Sequence, residues 1–200
     1  YFPQSKEIFE KANKVLGFSL SDLCFSGSLE ELTKTNNCQP AIVTMTIACW
    51  EAYKTKHPQL DGYLAGLSLG EYSALVAAGA LNFEDAVYLV RRRGQFMEEE
   101  ALKQSGKMLS VIGLDLVKVR EICTEIKAEI ANINCPGQIV ISGSPEVIEK
   151  AQILAKEKGA RLAIILEVSG AFHSSFMQEA SLKLAKELEK INLSAPKSPV

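Results

Sequence analysis

Apolar side chains recur with helical spacing in four stretches of the chain and predict amphipathic helices there. The stretches are residues 5–16, 40–56, 83–101 and 174–191, with a single helical turn at 28–32. Gly17 is a typical helix stop, and Pro40 suits the first position of a helix. The helix at 40–56 is apolar nearly all round its circumference, so we expect it to be central and buried.

A different pattern begins near residue 107, where short apolar runs alternate with amphipathic helices. It predicts strands at 108–114, 129–134, 138–142 and 161–168, and helices at 115–127 and 145–158. The order β-α-β-β-α-β is that of a ferredoxin-like unit. Because further elements flank this unit on both sides, we predict a subdomain at 106–169, inserted into a larger α/β core formed by 1–105 and 170–200.

A Gly-x-Ser-x-Gly pentapeptide, Gly66-Leu67-Ser68-Leu69-Gly70, separates a predicted buried strand at 62–65 from an Ala- and Leu-rich helix. This is the context of a nucleophile elbow, in which a serine hydroxyl is exposed on a tight turn at a helix N-terminus. We expect a Cβ atom at either glycine to clash, and the Leu69 N–H to be one oxyanion donor. A glycine-rich turn with a solvated serine is the alternative.

A serine nucleophile needs a general base, and the chain has two histidines. His57 follows a predicted helix end and precedes Pro58 in a loop of ordinary character. His173 ends a Ser-Gly-Ala-Phe-His loop directly before the last predicted helix. An isolated histidine usually has a surface or capping role. His173 is nevertheless the better candidate base, provided that the inserted subdomain folds back over Ser68.

A helical wheel divides residues 83–101 into an apolar arc and a polar arc. Arg91 and Arg92 fall on the polar arc and are expected to be exposed, whereas Arg93 falls among the apolar positions. Such an arginine either extends its guanidinium to the rim or is held partly buried for an anion. No carboxylate lies nearby on the inner face, so a ligand is a candidate partner.

Composition and charge narrow the function classes. The 200 residues are 47% apolar and 23% charged with a formal net charge of −2, so we expect neither nucleic acid nor a membrane as partner. Five scattered cysteines and two histidines give no zinc-binding pattern. Reduced thiols favour a cytosol-like compartment. We expect a cytoplasmic protein, or one of an organelle matrix if a transit segment was removed.

Four motifs together resemble the malonyl-CoA:acyl carrier protein transacylase family. They are GLSLGEYSALVAAGAL at 66–81, Arg93-Gly94 with Met97, NINCPGQ at 132–138 and VSGAFHS at 168–174. The resemblance implies an α/β-hydrolase-like core with an inserted ferredoxin-like subdomain. The segments that normally open and close the family have no counterpart, so we expect the chain to be part of a longer one.

The resemblance also implies roles for individual residues. Ser68 is expected to be the acylated nucleophile, His173 its general base and Arg93 the ligand of the malonyl carboxylate. Substrate contacts are further implied for Leu69, Met97, Asn132 and Phe172. The chain departs from the family at position 67, where it has leucine instead of the usual histidine.

The activity implied is transfer of a malonyl group from CoA to the phosphopantetheine thiol of an acyl carrier protein, in fatty acid biosynthesis. It would proceed through an acyl-serine intermediate, without a metal or cofactor. Two alternatives stay open. A serine esterase or thioesterase would use the same elbow but would leave Arg93 without a role. A truncated, non-catalytic piece would only bind acyl-CoA.

Overall fold

The computed structural model describes residues 2–57 and 62–200, an α/β structure of helices and a four-stranded sheet. The helices are α1 (Pro3–Leu16), α2 (Leu20–Ser26), α3 (Leu29–Thr33), α4 (Thr35–Lys56), α5 (Gly70–Ala77), α6 (Phe83–Lys103), α7 (Leu116–Ile126), α8 (Pro145–Glu157) and α9 (Gln178–Leu188). The strands are β1 (Lys107–Ile112), β2 (Glu129–Cys135), β3 (Gln138–Gly143) and β4 (Leu162–Leu166). The chain divides into two compact units, Tyr1–Gln95 with Leu184–Val200, and Phe96–Lys183.

The first unit has a helical core in which the predicted periodicities are confirmed. Gly17 ends α1 with a φ of 73°, a left-handed conformation that a residue without Cβ adopts freely. Asn82 caps α6, since its side chain accepts the Asp85 N–H at 2.8 Å. The apolar arc of α6 is buried in this core, at Phe83, Ala86, Val87, Leu89 and Val90.

Helix α4 begins at Thr35 and contains Pro40, which was predicted to open it. Proline has no N–H, so the Asn36 carbonyl one turn earlier lacks its helical donor. The Arg91 guanidinium donates to that oxygen at 2.6 Å, which explains how the helix continues through the proline. The expected all-round burial is also wrong: neighbouring helices leave one stripe uncovered within the described residues, at Ile42, Met45, Cys49 and Tyr53.

The predicted buried strand at 62–65 is also wrong. These residues belong to no strand, and Tyr63 is 87% exposed. Within the described residues, one backbone hydrogen bond attaches this segment to another, from the Leu64 N–H to the Pro199 carbonyl at 2.9 Å. One bond does not make a ladder, so the segment remains irregular. The loop predicted at Pro58 lies outside the described residues.

The second unit contains the sheet, whose strands are antiparallel in the order β2-β3-β1-β4. The predicted succession of strands and helices over 107–166 is confirmed. Helices α7 and α8 cover one face, where Leu109 of β1 pairs with Ile141 of β3 and both side chains are fully buried. Each of these helices begins at a side-chain cap, Asp115 and Ser144 respectively.

The last predicted helix begins with a tighter turn. A 3₁₀ helix, Ser175–Met177, precedes α9, which ends at Leu188 rather than at residue 191. The Ser174 hydroxyl accepts the Phe176 N–H at 3.3 Å and donates to the Ala171 carbonyl at 2.5 Å. These bonds satisfy local backbone groups that a regular helix start would leave to solvent.

Candidate active site

The Gly-x-Ser-x-Gly segment forms a tight turn at the start of α5. Ser68 has a φ of 55°, a left-handed conformation that residues other than glycine rarely adopt. A Cβ atom on Gly66 would lie 2.0 Å from the Gly70 carbonyl carbon, so only glycine fits there. Because α5 begins at Gly70, Ser68 lies at a helix N-terminus, as the elbow prediction requires.

Gly70, the second glycine of the turn, does not show the close contacts found at Gly66. Among the described residues, an added Cβ on Gly70 would meet no atom within 4 Å, so the expected clash there is wrong. The reason is that this position opens α5 with free space beside its backbone. The Leu69 N–H donates no hydrogen bond within the described chain, and it is therefore available to an oxyanion.

Arg93 extends from α6 to the elbow. Its Nη2 donates to the Ser68 hydroxyl oxygen at 2.8 Å, and its Nη1 donates to Oε1 of Gln39 at 2.7 Å. Gln39 belongs to α4 and is only 6% exposed. The guanidinium is therefore held beside the serine by groups from two other segments, whereas a snorkelling arginine would place it in solvent.

The charge of Arg93 is incompletely compensated. Burial lowers the pKa of its guanidinium, while Tyr72 and the Glu71 carboxylate act in the opposite direction. Burial also raises the pKa of Tyr72, which the Arg93 charge partly opposes. Arginine stays protonated in proteins, so the site holds a half-buried positive charge whose named hydrogen-bond acceptors are neutral. An anion bound there would offset its desolvation.

The three consecutive arginines of α6 have different surroundings. Arg91 donates to the Asn36 carbonyl and to Oδ1 of Asn37, both at 2.6 Å, and its guanidinium lies over the Phe18 ring at 5.3 Å. Arg92 donates to a glutamine of its own helix at 2.6 Å. Both are half-buried. Their expected exposure is wrong, because Arg91 supports the proline-containing start of α4 and Arg92 lies along its own helix.

His173 lies in the second unit, in the loop between β4 and α9. It is exposed and has a φ of 57°, so it shares the left-handed conformation of Ser68. Phe172, directly before it, is half-buried. The Phe172 carbonyl accepts a hydrogen bond at 2.6 Å from the hydroxyl of Ser142, a fully buried residue of β3. The backbone next to His173 is therefore attached to the sheet.

The remaining site predictions are distributed between the two units. The first unit brings together Ser68, Leu69 and Arg93. The second contains His173 and three other residues, each half-buried: Met97 on α6, Asn132 on β2 and Phe172. His57, the other candidate base, is exposed at the end of α4, with its ring stacked on Tyr53 at a centroid distance of 4.3 Å.

Sequence reasoning missed Gln39. Because the helix was predicted to open at Pro40, Gln39 was placed before it. A helix from Thr35 puts Gln39 one turn from the buried Val43, where a buried amide requires a partner. Over residues 2–57 and 62–200, no three His, Cys, Asp or Glu side chains are grouped as metal ligands. None of the helices there has the length and apolarity needed to cross a membrane.

A family model described as the acyl transferase domain matches residues 4–200. The chain belongs to this family. It is 47% identical over 203 residues to the malonyl CoA-acyl carrier protein transacylase of Bacillus subtilis (strain 168), covering 99% of this chain and 64% of that protein. It is 41% identical over 203 residues to the protein of the same name from Escherichia coli (strain K12), covering 100% of this chain and 66% of that protein. The resemblance found in the motifs is confirmed.

Solved structures of family members match this chain closely. An acyl carrier protein S-malonyltransferase from Vibrio cholerae O1 matches with a TM-score of 0.94 and 37% identity over 100% of this chain. A malonyl-transacylase solved in complex with its type II PKS acyl-carrier protein matches with a TM-score of 0.95 and 39% identity over 100% of this chain. The chain spans 64% to 66% of the length of these four relatives.

Proposed function

We propose that this family member transfers a malonyl group from CoA to the phosphopantetheine thiol of an acyl carrier protein, in fatty acid or polyketide synthesis. One observation carries the proposal. A half-buried guanidinium, Arg93 Nη2, lies 2.8 Å from the hydroxyl of Ser68 on a nucleophile-elbow turn. A cation at that distance suits an acyl group that ends in a carboxylate. The names of the relatives, all malonyl transacylases or malonyltransferases, agree with this substrate.

In the proposed first half-reaction, Ser68 Oγ attacks the thioester carbonyl carbon of malonyl-CoA. His173 takes the serine proton and returns it to the CoA sulfur as the carbon–sulfur bond breaks. The tetrahedral oxyanion accepts a hydrogen bond from the Leu69 N–H at the start of α5. The malonyl group is then an ester on Ser68. In the second half-reaction, the carrier thiol attacks this ester, and His173 takes the thiol proton and returns it to Ser68 Oγ as the ester bond breaks.

Arg93 is proposed to hold the malonyl carboxylate throughout. A guanidinium can donate two parallel hydrogen bonds to a carboxylate, whereas an acetyl group offers no such acceptor. The bond to Gln39 would keep the guanidinium oriented when Ser68 is acylated and ceases to be its acceptor. Three further contacts are proposed from the family resemblance. Met97 would line the acyl site, Asn132 the rim of the CoA cleft, and Phe172 the space beside the malonyl α-carbon.

The finer fold assignment is also a proposal. We infer that the sheet unit is the ferredoxin-like subdomain, inserted at 106–169 into an α/β-hydrolase-like core made of 1–105 and 170–200. The β-α-β-β-α-β order and the antiparallel strand order β2-β3-β1-β4 support the first part. The elbow turn supports the second. We further propose a cytoplasmic enzyme that needs no cofactor, because thioester exchange on serine requires none.

Acyl-enzyme formation tests this proposal. The intact mass of the protein after incubation with malonyl-CoA should show one malonyl adduct, and peptide mapping should place it on Ser68. Ser68→Ala should abolish the adduct because it removes the only proposed nucleophile. The matched control is Ser73→Ala in α5, which should retain the adduct. An adduct that persists in Ser68→Ala would refute the acyl-serine mechanism.

A turnover assay on neutral esters, together with the adduct measurement, separates the alternatives. A serine esterase or thioesterase would turn over neutral esters without a carrier protein and would not depend on Arg93. A chain that only binds acyl-CoA would show no adduct at all. The bonds that hold Arg93 at the serine favour the transferase over both, since neither alternative needs a cation there.

A further inference from the structure

We propose that Glu129 and Ser142 are positioning residues that hold the loop of His173 in its left-handed conformation. The two residues are a cross-strand pair, with Glu129 on β2 opposite Ser142 on β3. This inference rests on the proposed role of His173 as general base. It assigns a function to two side chains that no step of the proposed reaction uses directly.

Glu129 and Ser142 form hydrogen bonds to the chain on both sides of His173. Before the histidine, the Ser142 hydroxyl donates to the Phe172 carbonyl at 2.6 Å. After it, the Glu129 carboxylate accepts the Ser175 N–H at 3.0 and 3.1 Å and the Ser175 hydroxyl at 2.5 Å. The loop is therefore attached to two neighbouring strands, one residue before the imidazole and two residues after it.

The backbone at His173 needs such support. A non-glycine residue in the left-handed region is destabilised, and it persists only where its surroundings determine the conformation. Ser142 is 0% exposed, so its hydroxyl contributes a hydrogen bond protected from water. The carboxylate of Glu129 contributes charge-assisted bonds, which are stronger than neutral ones.

Close packing also limits how far the loop of His173 can move. A Cβ atom on Gly106 would lie 2.5 Å from Ala171, and one on Gly170 would lie 3.0 Å from the Ala101 side chain. The loop therefore has little space to shift as a body toward these neighbours. The remaining freedom is rotation of peptide groups near His173. Ser142 binds the peptide group directly before His173, and Glu129 binds the next peptide group but one, between Ser174 and Ser175. Such a rotation would redirect the imidazole, and proton transfer is sensitive to that geometry.

The test compares three variants of the protein with a matched control. Ser142→Ala and Glu129→Ala each remove one attachment, whereas Glu129→Gln keeps an acceptor oxygen without the charge. Ser110→Ala is the control. It removes another buried serine of the same sheet face, whose hydroxyl makes no bond to the loop within the described chain. The readouts are kcat and KM for malonyl transfer, and amide hydrogen exchange at residues 172–176.

We expect Ser142→Ala to lower kcat about two- to tenfold, and Glu129→Ala to lower it about tenfold or more, with KM for malonyl-CoA nearly unchanged. Exchange at 172–176 should become faster in both, while the strands keep their protection. Glu129→Gln should recover part of both effects, and Ser110→Ala should show neither. Unchanged kcat and exchange in both alanine variants would overturn the proposal. Equal effects in Ser110→Ala would overturn it too.

The two proposals can fail separately. If Ser68→Ala keeps its malonyl adduct, the acyl-serine mechanism fails, but exchange at 172–176 still reports whether Glu129 and Ser142 hold the loop. If Ser142→Ala does not fold, the pair Glu129→Ala and Glu129→Gln decides alone, since Glu129 is only half-buried.

Discussion

Each unit has an apolar core, and the two units differ in the hydrogen bonds that join their elements around it. In the first, α6 is attached to α4 through single side chains, Arg91 to Asn36 and Arg93 to Gln39. In the second, backbone ladders join four strands around an aliphatic core that includes Ile141. A side-chain bond can be removed alone, whereas a core side chain leaves a cavity. Removing a polar side chain that reaches Ser68 in the first unit should therefore lower activity, whereas truncating a core side chain in the second should lower stability.

The largest expected effect concerns activity and comes from the first unit. Arg93→Ala should lower kcat/KM for malonyl transfer by at least about thirtyfold, since losing one partner of a buried charged pair costs about 2–5 kcal/mol. Acetyl transfer should be spared or improved, because an acetyl group has no carboxylate for Arg93 to bind. Steady-state kinetics with both acyl-CoAs measures the change in preference.

Two matched variants sharpen that result. Arg93→Lys keeps a charge but lacks the planar pair of donors, so it should recover only part of the malonyl preference. Arg92→Ala should keep it, because Arg92 bonds within its own helix. A malonyl preference that survives in Arg93→Ala, or disappears in Arg92→Ala, would contradict the assignment.

The corresponding change in the second unit should affect stability instead. Ile141→Ala removes a side chain that is 0% exposed at the centre of the sheet, and should lower the free energy of unfolding by about 2–5 kcal/mol. Urea unfolding followed by circular dichroism measures the loss. Ile164→Ala is the control, because Ile164 is 47% exposed on β4 and should lose far less. Equal losses in both variants would mean that the sheet core is not as described.

A smaller effect is expected where α6 approaches α4. A Cβ on Gly94 would lie 2.6 Å from the Thr35 carbonyl oxygen and 2.7 Å from Asn36 Cα. Gly94→Ala should therefore lower the free energy of unfolding by about 1–3 kcal/mol through overpacking. Gly70→Ala is the control and should be close to neutral, because its Cβ meets open space in the described structure. Thermal melts of both variants would show whether the helices approach as closely as this.

The smallest expected effect depends on pH. Hydrogen bonding to Lys103, and then to Lys183, lowers the pKa of Glu100 below its ordinary value. A lowered folded-state pKa gives stability that is present above the unfolded-state pKa and is lost as pH falls through the folded one. As the pH falls from about 5 to 3, the free energy of unfolding of Glu100→Gln should therefore decrease less than that of the parent protein. Glu125→Gln, at an exposed position of α7, should match the parent.

Local signals were sufficient for much of the fold. The helix stop at Gly17 acts within one turn, so the sequence reveals it directly. The alternation of strands and helices over 107–166 follows from side-chain periodicity in the same way. The elbow turn and the inward position of Arg93 also depend on spacing alone.

What the sequence could not reveal depends on contacts between distant residues. The start of α4 was misplaced because Arg91, far along the chain, supplies the donor that Pro40 lacks. For the same reason, the sequence did not indicate Gln39 as the second hydrogen-bond acceptor of Arg93. The segment at 62–65 has the composition of a strand, but pairing requires a neighbour that composition does not specify. The short helix α2 was missed because seven residues give too little periodicity.

The left-handed conformations of Ser68 and His173 have an evolutionary consequence. Glycine at either position would adopt the same φ without the penalty of about 1 kcal/mol that a Cβ atom brings. Random substitution that is filtered only for stability or expression should therefore drift toward glycine at both. Serine and histidine persist there only while selection acts on what their side chains do.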